Sequence, residues 1–317
     1  MLRAGDKVGI IAPASNIQRA LLEAGVAGLR ALGYDPVYSP GILEQELYFA
    51  GPLERRLREL QEMVERDDVA AIICARGGYG SNYLLEHLDF QKFAQHPKII
   101  VGYSDNTSLL TAITDRCGLV TFHGPMVTKD FAAPGCVELS SWNNAVSGVP
   151  AWAIPTDGVE VLRPGHAQGR LYGGCLSMLV ASLGTPFEVQ ADDTILFLED
   201  IAAKPYQIDR MLMQLRLAGK LEGVRGFIFG EMVDCVQPSG QDYTLQQVIM
   251  RILAAYNVPV IYGLRSGHVS RGNITLPLGV QAELTADNSH AELKILEAAT
   301  QIGSSGHRII GNAVNSG

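Results

Sequence analysis

Apolar residues fall along this chain in two alternating textures. Short unbroken runs, KVGIIAP at 7–13, VAAIICA at 69–75 and Ile99 to Val101, have the length and Val/Ile content of strands covered on both faces. Between them the apolar positions recur with helical period: Leu21, Leu22, Val26, Leu29 and Leu32 within 17–32, and a second stripe from Leu53 to Val64. Arg55, Arg56, Arg58 and Glu62 of that second stripe read as its wet face. Shorter strands are expected at Pro36–Tyr38 and Leu119–Phe122, and helices at SNYLLEHL and after Asn106-Thr107. Strands that alternate with helices predict a parallel, doubly wound sheet over roughly the first 140 residues.

The texture changes after Ser147. Residues 147–165 are rich in proline and glycine and read as a linker. Beyond them, strands are expected at Gln168–Tyr172, Thr194–Leu198, Arg225–Phe229, Val258–Tyr262, Asn273–Pro277, Val280–Leu284 and Ala291–Leu296. A helix opens at Gly173-Gly174 and another spans Tyr206–Leu217. The pattern predicts an α/β chain: a parallel-sheet domain over 1–146, then a smaller β-rich domain over 166–299 built on a curled sheet or barrel. Residues 300–317, rich in Gly, Ser and Asn, read as a mobile tail.

Composition narrows the partners. The 317 residues are 47% hydrophobic and carry a net charge of -8 with no basic run, which argues against nucleic acid. No stretch reaches the roughly 18 apolar residues that would span a bilayer. The first apolar run leads into an amphipathic stretch rather than a cleavage site, so it reads as a strand and the protein as cytoplasmic. Cys74, Cys117, Cys136, Cys175 and Cys235 are odd in number and form no close pair, which suits reduced thiols rather than a metal or disulfide set.

Sites in such sheets lie at the carboxyl ends of the strands. Four segments fall there: Ala12-Pro13, RGGYG at 76–80, GYSDN at 102–106 and HGP at 123–125. Ser104 sits where a buried strand turns into a helix, a geometry that projects a nucleophile, although G-x-S-D-N lacks the second glycine of G-x-S-x-G and a serine there can equally be an N-cap. Of seven histidines only His123 and His268 occupy glycine-flanked turns at strand ends, so both are candidate bases. Glu199-Asp200, closing the run TILFL, offers an orienting carboxylate; one member is expected to cap the helix near Pro205. RGGYG lacks the lysine of a phosphate-binding P-loop and reads as a source of backbone donors. Arg76 is a candidate for a substrate carboxylate. No metal-ligand spacing is found.

Taken in order, IIAPAS (10–15), RGGYG, GYSDNT (102–107), TFHGPM (121–126), YGGCLSML (172–179), LFLEDIAAKPYQIDRMLMQL (196–215) and GHVSRGNITLPLG (267–279) resemble the LD-carboxypeptidase family, over about residues 5–297. That family includes muramoyl-tetrapeptide carboxypeptidases and microcin C self-immunity peptidases. The resemblance implies a flavodoxin-like N-terminal domain with a β-rich C-terminal domain, usually as a homodimer and without a cofactor. It implies a catalytic set of Ser104, Glu199 and His268, oxyanion donors on the Gly78 and Asp105 amides, and a structural role for His123. The implied substrate is a muropeptide tetrapeptide that loses its terminal D-alanine during peptidoglycan recycling. Arg76 and Arg271 are the basic groups expected to meet its carboxylate. Two alternatives stay open: a microcin C-type immunity peptidase, which would need aromatic loop residues beyond Trp142 and Trp152, and a non-catalytic sugar- or nucleotide-binding protein that uses RGGYG as an anion cradle.

Overall fold

A computed structural model describes residues 1–302 and 308–309, and most of the tail expected to be mobile lies outside them. In chain order the first half runs β1 (Lys7–Ile11), α1 (Arg19–Ala31), β2 (Asp35–Tyr38), α2 (Leu53–Glu65), β3 (Val69–Cys74), α3 (Phe90–Gln95), β4 (Ile99–Gly102), α4 (Thr107–Cys117), β5 (Thr121–His123) and α5 (Leu139–Ser147). The second half runs β6 (Trp152–Ile154), β7 (Glu160–Arg163), β8 (Gly165–Cys175), α6 (Leu176–Ala181), β9 (Thr194–Glu199), α7 (Pro205–Leu217), β10 (Gly226–Gly230), α8 (Leu245–Ile252), β11 (Val260–Leu264), β12 (Leu276–Leu278), β13 (Gln281–Ala286) and β14 (Ala291–Ile295).

The first sheet has the order β12-β5-β4-β3-β1-β2, parallel except for β12. Its central strands are buried on both faces, as their unbroken apolar runs predict: Ile10 and Ile73 face one core, Ile11 and Ile72 the other. The second sheet is an eight-stranded mixed sheet, β6-β14-β13-β8-β9-β10-β11-β7, with β8 through β11 parallel. Helices α2 to α4 cover the outer face of the first sheet, and α6 to α8 cover one face of the second. Between the sheets lies one continuous core. It joins Ile10, Ile73 and Val101 of the first sheet to Phe197, Ile228 and Leu284 of the second, with α1 and α5.

Several expectations change. Residues 147–165 supply β6 and β7, the two edge strands of the second sheet, because Trp152, Ile154 and Val161 pack onto the shared core. The strand expected near Asn273–Pro277 is β12 and leaves the second half to pair with β5. SNYLLEHL forms a 3₁₀ segment, Ser81–His87. Arg55 and Arg56 do not form a wet face: they are 5% and 2% exposed. Arg56 donates to the carbonyls of Pro13 and Gly80, both at 2.8 Å, and stacks on Phe49. Arg55 donates to the Ala12 and Ala50 carbonyls and pairs with buried Glu59 at 3.0 Å, while Glu59 accepts the Ala12 amide at 2.8 Å. Charged residues were legible as polar, but nothing in a helical stripe tells that loop carbonyls wait on that side. The arginines clamp the end of β1 to the RGGYG loop, and the site is built on that floor.

Candidate active site

Ser104 follows β4 and is held at φ +63°, a left-handed conformation that a non-glycine residue seldom adopts. The strain lifts its side chain out of the strand direction. Its hydroxyl caps neither helical segment that follows and makes no hydrogen bond among the described residues. Its neighbours tie the turn to the RGGYG loop instead: Asp105 accepts the Ser81 amide at 2.8 Å, and the Asn106 amide group donates to the Tyr103 and Arg76 carbonyls. Gly77 passes directly beneath, where a Cβ would stand 2.7 Å from Ser104 Cβ and 2.9 Å from its Oγ. Only glycine permits that approach. Gly78 comes next, and its amide has no partner among the described residues.

Glu199 ends β9 with its carboxylate fully buried. One oxygen accepts from His268 Nδ1 at 2.8 Å and from the His268 backbone amide at 3.1 Å. Burial by itself would raise this carboxyl, but the hydrogen bonds from His268 and the nearness of the His268 and His123 rings outweigh it and hold the group down at about 2. With Nδ1 committed, His268 has Nε2 left over, and its side chain is 14% exposed. Tyr103, buried behind it, meets the ring edge-on with centroids 5.2 Å apart. The loop that carries His268 is clamped at both ends. The Asn273 side chain accepts the Gly267 amide at 2.9 Å and donates back to its carbonyl, and Glu231 binds both the amide and the hydroxyl of Ser270.

Asp200, the other half of the pair, caps the start of α6 rather than α7. It accepts the Ser177 and Ile201 amides, each at 2.9 Å, whereas at the start of α7 the Gln207 side chain accepts the Lys204 amide at 2.8 Å. At the same junction the Thr107 hydroxyl accepts the Cys175 amide at 3.0 Å, which ties the start of α4 to the end of β8.

Ser104 and His268 line one pocket of about 430 Å³, together with Arg76, Gly77, Gly78, Tyr103, Lys129, and Ile17, Gln18 and Leu21 at the start of the first helix. The structure thus brings Ser104, His268, Glu199 and the Gly78 amide to one place, although no hydrogen bond joins Ser104 to His268. Arg76 lines the pocket and donates to the Asn16 carbonyl at 3.1 Å. Arg271 is exposed and is not among the lining residues. Lys129 went unnoticed in the sequence because nothing marks it there; it follows the HGP turn on the segment Val127–Phe131, 5.6 Å from the Tyr103 ring. Asn273 and Glu231 were also missed, and only the position of Asn273 just after the second glycine of the His268 loop could have drawn attention.

The arrangement can carry nucleophilic acyl transfer: a strained hydroxyl, an imidazole whose far nitrogen is bonded to a buried carboxylate, and an unpaired loop amide. Among the described residues no group of His, Cys, Asp and Glu could hold a metal ion, and no helix is long and apolar enough to cross a membrane.

Comparison with known proteins agrees over both halves. The LD-carboxypeptidase N-terminal domain matches residues 8–124 and the C-terminal domain matches residues 168–284. A probable murein peptide carboxypeptidase of Bacillus subtilis is 37% identical over 306 residues, 95% of each chain. The crystal structure of a muramoyltetrapeptide carboxypeptidase from Oxalobacter formigenes superposes with a TM-score of 0.81 at 30% identity, covering 91% of this chain and 98% of that one. The microcin C7 self-immunity protein MccF, in complex with aspartyl sulfamoyl adenosine, superposes with a TM-score of 0.85 at 25% identity, over 93% and 97%. The chain belongs to the LD-carboxypeptidase family.

Proposed function

We propose that this protein is a serine LD-carboxypeptidase that removes the terminal D-alanine from muropeptide tetrapeptides, cutting after the L-centre of diaminopimelate in cytoplasmic peptidoglycan recycling, and that it works as a homodimer without a cofactor. One observation carries the reading: the 2.8 Å bond from His268 Nδ1 to buried Glu199, in a pocket shared with a left-handed Ser104. His268 Nε2 takes the Ser104 proton as Oγ attacks the scissile carbonyl. Glu199 keeps the imidazole oriented and stabilises its cation. The Gly78 and Asp105 amides receive the oxyanion, and the proton then passes to the departing D-alanine nitrogen. Water, activated by the same imidazole, releases the tripeptide acid. Arg76 and Lys129, the two cations lining the pocket, meet the substrate's terminal carboxylate.

The test is to incubate the protein with N-acetylmuramoyl-tetrapeptide and follow its mass, beside the same peptide ending in L-alanine. Loss of one alanine from the D-ended peptide alone is expected. Substrate left intact across a range of pH would refute the reading.

A second reading, cleavage of an acyl-sulfamoyl nucleoside, is favoured by one feature. Tyr48, Tyr79 and Tyr83 are 52%, 39% and 46% exposed and form one aromatic cluster with Phe49, beginning at the residue after Gly78. Such rings could stack on a base. Hydrolysis of aspartyl sulfamoyl adenosine in preference to the tetrapeptide would select this reading.

A further inference from the structure

The resemblance implies a structural role for His123, yet its surroundings give it a place at the site. It ends β5, where it is paired with Gly102 of the strand that delivers Ser104 and with Leu276 of the strand that follows the His268 loop. From there its ring reaches the opposite sheet. Nε2 lies 3.7 Å from Glu199 Oε1, the carboxylate oxygen that His268 does not use. Both atoms are buried, and neither has a hydrogen-bond partner within normal range. A carboxylate oxygen without a donor in the interior is costly. Tyr103, Cys175, Asp200 and Cys235 also surround Glu199, but none donates to it.

We infer that His123 is a second imidazole on the Glu199 carboxylate, a positioning residue whose protonated Nε2 faces Oε1 and fixes the group that orients His268.

Hydrogen-bond bookkeeping on the far side of the ring leads to the same proton. His123 Nδ1 lies 3.0 Å from Ser266 Oγ, which donates to the Ile274 carbonyl at 2.8 Å. The hydroxyl has one hydrogen. With that hydrogen given to Ile274, Nδ1 must be the donor to Ser266, and a bare Nε2 would turn a lone pair on a buried carboxylate; a proton on Nε2 as well relieves the clash. The arrangement that satisfies both sides of the ring has hydrogen on Nε2. The pair is closely packed: Phe197 meets the ring at a centroid distance of 5.0 Å, and a Cβ on Gly267 would stand 2.7 Å from both His123 Cε1 and Glu199 Cδ.

Glu199 is thus held from two directions by residues of both halves. In the proposed reaction His268 gains and loses a proton while Glu199 stays ionised, so a fixed donor on Oε1 keeps the carboxylate aimed at Nδ1 throughout. The kinetic consequence rests on the proposed function; the position of the proton does not.

The test has two arms. In the unmodified full-length protein labelled with ¹⁵N-histidine, long-range ¹H–¹⁵N correlations at neutral pH are expected to show Nε2 of His123 protonated; a bare Nε2 with hydrogen on Nδ1 alone overturns the inference. In the second arm, His123→Leu is expected to lower kcat on the tetrapeptide by about 10- to 100-fold with KM unchanged, the range for losing a group that orients a catalytic ligand. His123→Gln, whose amide nitrogen reaches the same position, is expected to recover to within about threefold. A folded His123→Leu protein with full kcat, or equal losses in both variants, contradicts the positioning role. If His123→Leu does not fold, or the protein proves inactive on muropeptide, the first arm still decides the matter, and that inactivity counts against the proposed function alone.

Discussion

Glu59, on α2 against the end of β1, and Glu199, at the end of β9, are both buried carboxylates bonded to a backbone amide and a basic side chain, yet they sit in opposite environments. Glu59 is shut in with Arg55, whose Nη2 donates to main-chain carbonyls, and burial leaves its carboxyl above the ordinary value despite the ion pair. Glu199 meets two histidines and is pulled down to about 2 despite its burial, and one of those histidines still has a free nitrogen at a pocket. The donors of the first arrangement hold loops together, and the one left over, Arg55 Nε, is shut in the interior without a partner among the described residues. The second leaves a nitrogen of His268 unbonded at a pocket, which is what the proposed reaction requires. An unused atom that opens on a pocket, rather than burial or pairing, is what distinguishes the Glu199 site from the Glu59 one.

The sharpest way to break this comparison is at the proposed reacting centre. Ser104→Ala is expected to lower kcat by about 10⁴-fold or more with the fold intact, read as tripeptide release and as an unchanged circular dichroism spectrum. Glu199→Gln should lose about 10³- to 10⁴-fold in kcat, because an amide cannot stabilise the imidazolium. Glu59→Gln should leave kcat within about threefold while lowering the denaturant midpoint, since it leaves part of a buried pair uncompensated. A large kcat loss at Glu59 would erase the distinction. Arg56→Met strands the Pro13 and Gly80 carbonyls and should cost roughly 3 kcal/mol of stability by denaturant titration.

The smallest effect concerns pH. Burial pushes Asp115, bonded to the Tyr172 hydroxyl, and Asp130, bonded to the Met126 amide, up from 3.8 to about 6. A raised carboxyl binds its proton more tightly folded than unfolded. Its stabilising contribution is therefore complete below 3.8 and fades as pH rises through 6. Glu199 works oppositely, its contribution present above 4.5 and lost as pH falls toward 2. The melting temperature should thus rise between pH 7.5 and 5, and Asp115→Asn should flatten that slope.

Much of this was written locally in the chain. The run Ile99–Val101, the glycine after it and the polar opening of α4 disclose a strand, a turn and a helix, and the turn contains Ser104. What could not be read are features fixed by partners far away. Glu199 and His268 stand 69 positions apart and meet only because β9 and the loop after β11 end at the same edge of the second sheet. A stripe of arginines on α2 looks wet until the carbonyls of Pro13 and Gly80 are known to face it. The proline- and glycine-rich stretch 147–165 looks like a linker because its two strands are short and belong to sheet edges. His123 looks structural because its partner lies on the other sheet.

The central claim is that Ser104 of one half is acylated with the help of an imidazole from the other. Rapid acid quench of the protein mixed with muropeptide tetrapeptide, followed by proteolysis and mass spectrometry, tests it most directly. The account predicts a muramoyl-tripeptide adduct on the peptide containing Ser104, absent from Ser104→Ala. Turnover that continues in Ser104→Ala, or an adduct mapped to another residue, would contradict it.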